Sequence, residues 1–185
     1  MLTLRSKRKR FGSRTLATAF GRATQVICGV LLMTSVVMQH GTAAAEKFKA
    51  FKMKSLEGAQ KSLSDVLGKA TLVVFFFPTC PFCNAAFPEI QKLHDSYRDR
   101  GLSMVWINVV PDEERLIADW RATHGYTVPV LLGGRSVQND YKLVMTPTQY
   151  LLDSQGQILS RHSGYKAGDE KDLEREIQQA LAAVP

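Results

Sequence analysis

Cysteine is scarce in this chain of 185 residues: Cys28, Cys80 and Cys83 are all there is. Too few thiols remain to build a cysteine-rich zinc site. Acids are missing from the first 45 residues altogether. No internal repeat, low-complexity tract or Pro/Gly-rich linker breaks up residues 46–185. The apolar run Val26–Met38 is 13 residues long and bracketed by Gln25, Gln39 and His40. It falls short of the roughly 20 apolar residues that a membrane-spanning helix needs.

The first 45 residues do contain seven bases (Arg5, Lys7, Arg8, Lys9, Arg10, Arg14 and Arg22), then that apolar run, then Ala43-Ala44-Ala45. A basic region, a short apolar core and small residues at the end are the parts of a secretory signal peptide. Cleavage is expected after Ala45, or else after Ala43, with an uncleaved anchor as the alternative. A transit peptide would be equally Arg-rich but would not need the compact apolar core. A lipoprotein cysteine would close the apolar region, whereas Cys28 stands near its start.

The net charge of +7 suggests an acidic partner such as nucleic acid. Taking the seven leader bases from the 24 Lys and Arg leaves 17, against 17 Asp and Glu. Residues 46–185 are therefore neutral overall, and no nucleic-acid partner is expected. The basic excess belongs to targeting.

Export places Cys80 and Cys83 in an oxidising compartment, where a lone pair is structural or catalytic. A disulfide across two intervening residues closes a very small loop, and chain-entropy stabilisation grows with loop length. Catalysis is the better reading of "CPFC".

Residues 46–185 are enough for one domain with its own core. Phe48–Leu56 reads as a strand or hairpin arm, and "GAQKSLSDVLGK" as a turn with a short helix. "TLVVFFF", residues 71–77, is a continuous run of β-formers, as in a strand covered on both faces. A helix is expected from Pro81 to Arg100, with Ala86, Phe87, Ile90, Leu93 and Tyr97 on its buried face and a kink at Pro88. A strand over 102–110, a helix over 111–124 with acids 112–114 in its first turn, and a short strand at "VPVLLGG" come next. "TQYLLDSQGQILSRHSG" gives a hairpin around Gly156. Residues 169–184 form an amphipathic closing helix. The sum is an α/β layer sandwich with a mixed central sheet flanked by helices.

CxxC beside a strand–helix–strand pattern reads as a thioredoxin-like redox motif. With "VVFFFPTCPFC", Pro88, the segment around Val109–Tyr141 and "TPT" followed by "YLLDSQGQI", the chain from about Lys47 onward resembles exported thioredoxin-like proteins of the TlpA/ResA type. The segment around Val109–Tyr141 matches that family's strand-helix insertion.

A thiol attacks only as thiolate. Cys80 sits where strand hands over to helix, and the free N–H groups and dipole of a helix start favour an anion. Pro81 suits the first helical position. Cys83, one turn on, can resolve a mixed disulfide. Phe82 offers an apolar surface beside the sulfur. The resemblance implies that Pro147 is cis and packs against the CxxC, and that the Thr146 backbone pairs with an extended substrate, a form of β-addition. The chain departs from the family at three places. Thr79 replaces a Trp before the first Cys. Ala86 replaces a Glu after the second, and Val74 a buried Asp, so water, Glu89 or a substrate group must take up protons.

Other readings are weaker. A peroxide-reducing cysteine needs Pro-x-x-x-Thr-x-x-Cys, and Phe77 holds the Thr position for Cys80. A copper site of the Sco type would suit two thiolates and a His, but "LLDSQGQ" has no His where that family has one. His94 reads as the edge of a buried helix face, His124 as a helix-end residue and His162 as a hairpin surface residue. Trp106 and Trp120 read as core. No cofactor and no metal are expected. The resemblance implies a periplasmic or otherwise extracytoplasmic enzyme that reduces protein disulfides, with cytochrome c maturation one setting and a membrane electron donor as partner. An oxidase or isomerase is the alternative, although the 64 positions from Cys83 to Pro147 leave no room for a large inserted helical domain. A monomer is expected.

Overall fold

The computed structural model describes residues 46–111 and 114–183. The leader and its cleavage site lie outside the described residues. Among the described residues seven strands form one mixed sheet: β1 Lys52–Ser55, β2 Gln60–Ser62, β3 Ala70–Phe76, β4 Leu102–Asn108, β5 Val130–Leu132, β6 Thr148–Asp153 and β7 Ile158–Ser163. Their order is β2-β1-β5-β4-β3-β6-β7. β3, β4 and β5 run parallel, while β6 and β7 on one side and β1 and β2 on the other are antiparallel. The helices are α1 Pro81–Tyr97, α2 Glu114–Thr123, α3 Ser136–Asp140 and α4 Asp169–Ala182.

All seven residues of β3 are buried. Its alternating side chains divide the interior in two. Leu72, Val74 and Phe76 join the cluster that includes Phe87, Trp106, Trp120 and Ile177; Val73 and Phe75 join the one that includes Phe48, Tyr141 and Tyr150. Both tryptophans are core, as expected. Trp106 stacks on Phe87 with ring centroids 4.3 Å apart, and Trp120 stacks on Phe76 at 5.0 Å.

α1 buries Cys83, Ala86, Phe87, Ile90, Leu93 and Tyr97 along one stripe and continues as helix past Pro88. It stops three residues before the expected Arg100. Residues 98–100 tighten into a 3-10 turn and Gly101 takes φ +107°, where a Cβ would be strained. Two expectations need correcting. The stretch read as a turn with a short helix holds strand β2, paired with β1, and only a 3-10 turn at Leu63–Asp65. The helix expected from Pro111 begins at Glu114 among the described residues.

Candidate active site

The C-terminal end of β3 delivers the chain to α1 in four residues, Phe77 to Cys80. The Cys80 N–H donates to the Phe77 carbonyl at 3.1 Å, closing this turn. Cys80 is the N-cap of α1, with extended backbone (φ −72°, ψ 116°) and Pro81 at the first helical position. Its sulfur does what a Ser or Asp oxygen does at other helix starts. Sγ accepts the Cys83 N–H at 3.2 Å.

A second donor comes from the loop before β6. The Thr146 hydroxyl donates to Cys80 Sγ at 3.3 Å, and the Thr146 carbonyl lies 3.6 Å from the same sulfur. The Thr146–Pro147 peptide bond is cis, and the Pro147 carbonyl accepts the Gly164 N–H at 2.8 Å. Among the described residues nothing bonds the Thr146 N–H. The two cysteines and the Thr-Pro pair are thus brought together, although 66 positions separate Cys80 from Thr146.

Both cysteines are free thiols. Cys80 exposes only 2% of its surface. It is enclosed by the first turn of α1 and by Thr146. Cys83 is fully buried. Burial pushes the Cys83 thiol well above its ordinary range. Its contact with Cys80 and the charge there add to the rise, while the Thr146 hydroxyl and the Phe77 backbone partly oppose it. The arrangement keeps a proton on Cys83 while two donors converge on Cys80, the polarity a nucleophile–resolver pair needs.

The remaining predicted residues fall into place around this pair. Pro81 is exposed, and Phe82 exposes 63% of its surface. Val74 and Ala86 are fully buried with no carboxylate in either place. Glu89 is ion-paired with Lys92 at 2.8 Å. Phe77, which holds the Thr position of the peroxide-reducing motif, is partly buried and packs against both core clusters.

Sequence reasoning missed Asn84. Its Nδ2 donates to the Pro78 carbonyl at 2.9 Å, and its Oδ1 accepts the Trp120 indole N–H at 3.0 Å. The side chain ties the turn before Cys80 to both α1 and α2. Nothing at the sequence level marks it apart from its place directly after the CxxC. Among the described residues the histidines stay apart from the dithiol's bonding. His94 is held below its ordinary pKa by burial, partly opposed by Asp95. His124 Nδ1 meets the Trp120 carbonyl at 2.8 Å. His162 is not a free surface residue but lies 2.8 Å from Glu176 of α4. No group of three potential metal-ligating side chains occurs among the described residues.

Comparison with known proteins fits this geometry. The profile of the AhpC/TSA family matches residues 44–161. The chain is 31% identical over 144 residues to thioredoxin-like protein YneN of Bacillus subtilis (strain 168), covering 77% of this chain and 81% of that protein. It is 26% identical over 160 residues to thiol-disulfide oxidoreductase ResA of Halalkalibacterium halodurans, covering 85% and 89%. In fold it is similar to a thiol:disulfide interchange protein of the thioredoxin family from Chlorobium tepidum TLS, with a TM-score of 0.65 at 22% identity over 75% of this chain and 98% of that one.

Proposed function

The chain belongs to the AhpC/TSA family, and from that premise we propose that it reduces disulfides in exported proteins by dithiol exchange through Cys80 and Cys83. It is a thiol-disulfide oxidoreductase with a thioredoxin-like fold, similar to the ResA proteins. The observation that carries the dithiol reading is the pair of donors, Cys83 N–H and Thr146 hydroxyl, converging on Cys80 Sγ at a helix start.

Cys80 thiolate attacks one sulfur of the substrate disulfide, and the other substrate sulfur leaves as thiolate and takes up a proton. A Cys80–substrate mixed disulfide remains. The negative charge that helped hold the proton on Cys83 is now gone, so Cys83 ionises more readily than before. It attacks Cys80 Sγ, the second substrate sulfur leaves, and a Cys80–Cys83 disulfide forms. Two electrons have passed from protein to substrate. With no carboxylate at positions 74 or 86, the Cys83 proton passes to water or to the departing substrate thiolate.

The leader's composition supports an extracytoplasmic site of action, by signal peptide or by anchor. Among the described residues no helix is long and apolar enough to cross a membrane. An oxidising compartment does not recharge a dithiol, so a membrane electron donor returns the pair to its reduced state. Cytochrome c maturation is one process that consumes such reducing power.

The test is the redox equilibrium of the full-length protein with glutathione, with Cys80→Ser and Cys83→Ser as controls. A potential near thioredoxin's, about −270 mV, is expected for a reductant. A value near about −120 mV would make it an oxidant. A pair that does not cycle would remove the dithiol reading altogether.

A further inference from the structure

The surface that continues from Cys80 is apolar and has a hole in it. A cavity of about 140 Å³ opens beside Thr146, walled by Phe77, Val109, Leu143 and Val144. Small-molecule sites run to roughly 300–1,000 Å³, so this space suits one side chain and not a metabolite. No charged residue lines it. Its one amide side chain is committed, because Gln138 Nε2 donates to the Val109 carbonyl at 2.9 Å.

The rim carries the same character. Five large hydrophobic side chains are exposed among the described residues; Val144 at 80% and Met145 at 50% border this cavity, and Phe82 at 63% lies between the two cysteines. Three of the five thus belong to the dithiol or to the loop beside it. Thr146 belongs to both places. It lines the cavity and touches Cys80 Sγ, and its N–H has no partner among the described residues.

We propose that this cavity is a specificity pocket for a large apolar side chain standing within two positions of the reacting cysteine, on an extended segment of a protein substrate. The proposal rests on the dithiol reading above. A substrate sulfur has to reach Cys80, and Thr146, which touches that sulfur, offers an unpaired backbone N–H for an extended segment to pair with. Along such a segment residues advance about 3.4 Å each and alternate in direction. A neighbour of the cysteine therefore reaches the cavity while the sulfur is at Cys80. Leu, Ile, Met or Phe would exchange water for apolar walls there. A Lys or Asp would lose its hydration and gain no partner.

The test uses the full-length reduced protein and single-cysteine peptides presented as mixed disulfides. Leu, Ala, Lys or Asp is placed in turn at the positions one and two away from the cysteine. Single-turnover reduction rates are compared, with 2-hydroxyethyl disulfide as a small uncharged probe of the dithiol itself. A Leu peptide reacting at least tenfold faster than its Lys and Asp counterparts is the expected result, since one well-fitted apolar group is worth about 10–200-fold in discrimination. Val144→Asp should lower the Leu-to-Lys rate ratio at least fivefold; this side chain is exposed, so the fold tolerates the change. Equal rates for all peptides, or a preference for Lys or Asp, with 2-hydroxyethyl disulfide still reduced, would overturn the pocket alone. Failure to reduce 2-hydroxyethyl disulfide would overturn the dithiol reading and the pocket with it.

Discussion

The Trp120 indole N–H donates to Asn84 Oδ1 at 3.0 Å, joining α2 to the helix that starts at Cys80. The other end of the same amide holds the Pro78 carbonyl. Replacing Asn84 by Ala leaves the Trp120 donor and the Pro78 acceptor without partners. A half-buried group abandoned in this way costs about 1–3 kcal/mol. Urea unfolding of Asn84→Ala should show that loss, and Trp120→Phe at least as large a one, since it also shrinks a core side chain. The double variant should lose less than the sum, because both changes break the same bond.

Thr146→Val removes the hydroxyl from Cys80 Sγ and keeps the side chain's shape. Hydrogen bonds to charged groups contribute about 1.5–3 kcal/mol. The rate of Cys80 alkylation at neutral pH should fall about tenfold, while Thr146→Ser stays close to the wild type. An unchanged rate in Thr146→Val would show that the 3.3 Å contact does not activate the sulfur.

Cys83 makes the stability of the reduced protein depend on pH. Its thiol is raised by burial in the folded state, whereas an unfolded Cys ionises near about 8.5. Below that value both states hold the proton and the contribution is complete. Above it the unfolded chain releases a proton that the folded chain keeps, so stability falls as pH rises, by up to about 1.4 kcal/mol per unit. Urea midpoints between pH 8 and 10 should decline more steeply for the reduced wild type than for Cys83→Ala or the oxidised protein.

His94 acts at the other end of the scale. Burial lowers its pKa, so as pH drops below about 6.5 the unfolded chain takes up a proton that the folded chain resists. The folded state loses stability on acidification. Comparison of urea midpoints at pH 7.5 and 5.5 should show a smaller drop in His94→Leu than in the wild type.

Gly133, directly after β5, occupies a tight spot. A Cβ there would come within 2.6 Å of Val137 Cγ2, 2.8 Å of Ile107 Cγ2 and 2.9 Å of the Asn108 carbonyl. Gly133→Ala should cost about 1–3 kcal/mol through overpacking, measurable as a lowered unfolding midpoint.

The parts of this fold that the sequence displays are those whose burial is written locally. β3 is apolar throughout, and α1 and α4 repeat apolar residues at helical spacing, so each declares its type and its inward face. β2 is three polar, largely exposed residues, Gln60–Ser62, and becomes a strand only because β1 lies beside it. α3 spans five residues, too short for a periodic signal. At the site, the spacing of Cys80 and Cys83 and the Thr-Pro pair could be seen in one dimension. The enclosure of Cys80 and the Asn84 clamp could not, because each depends on side chains dozens of positions away. Resemblance supplied the cis geometry at Pro147; spacing alone did not.

β3 is bordered by β4 and β6 from Ala70 to Phe75 and by β4 at Phe76, with every residue buried. Its amide protons should be the last in the protein to exchange with deuterium, released only when the whole sheet comes apart. The loop before Pro147, with Val144 and Met145 turned to water, stands at the fast end of the same scale. Cys80 is thus fixed to the slowest-breathing segment and faces one of the quickest. A substrate that docks should slow deuterium uptake on the loop side and leave the strand's rate where it was.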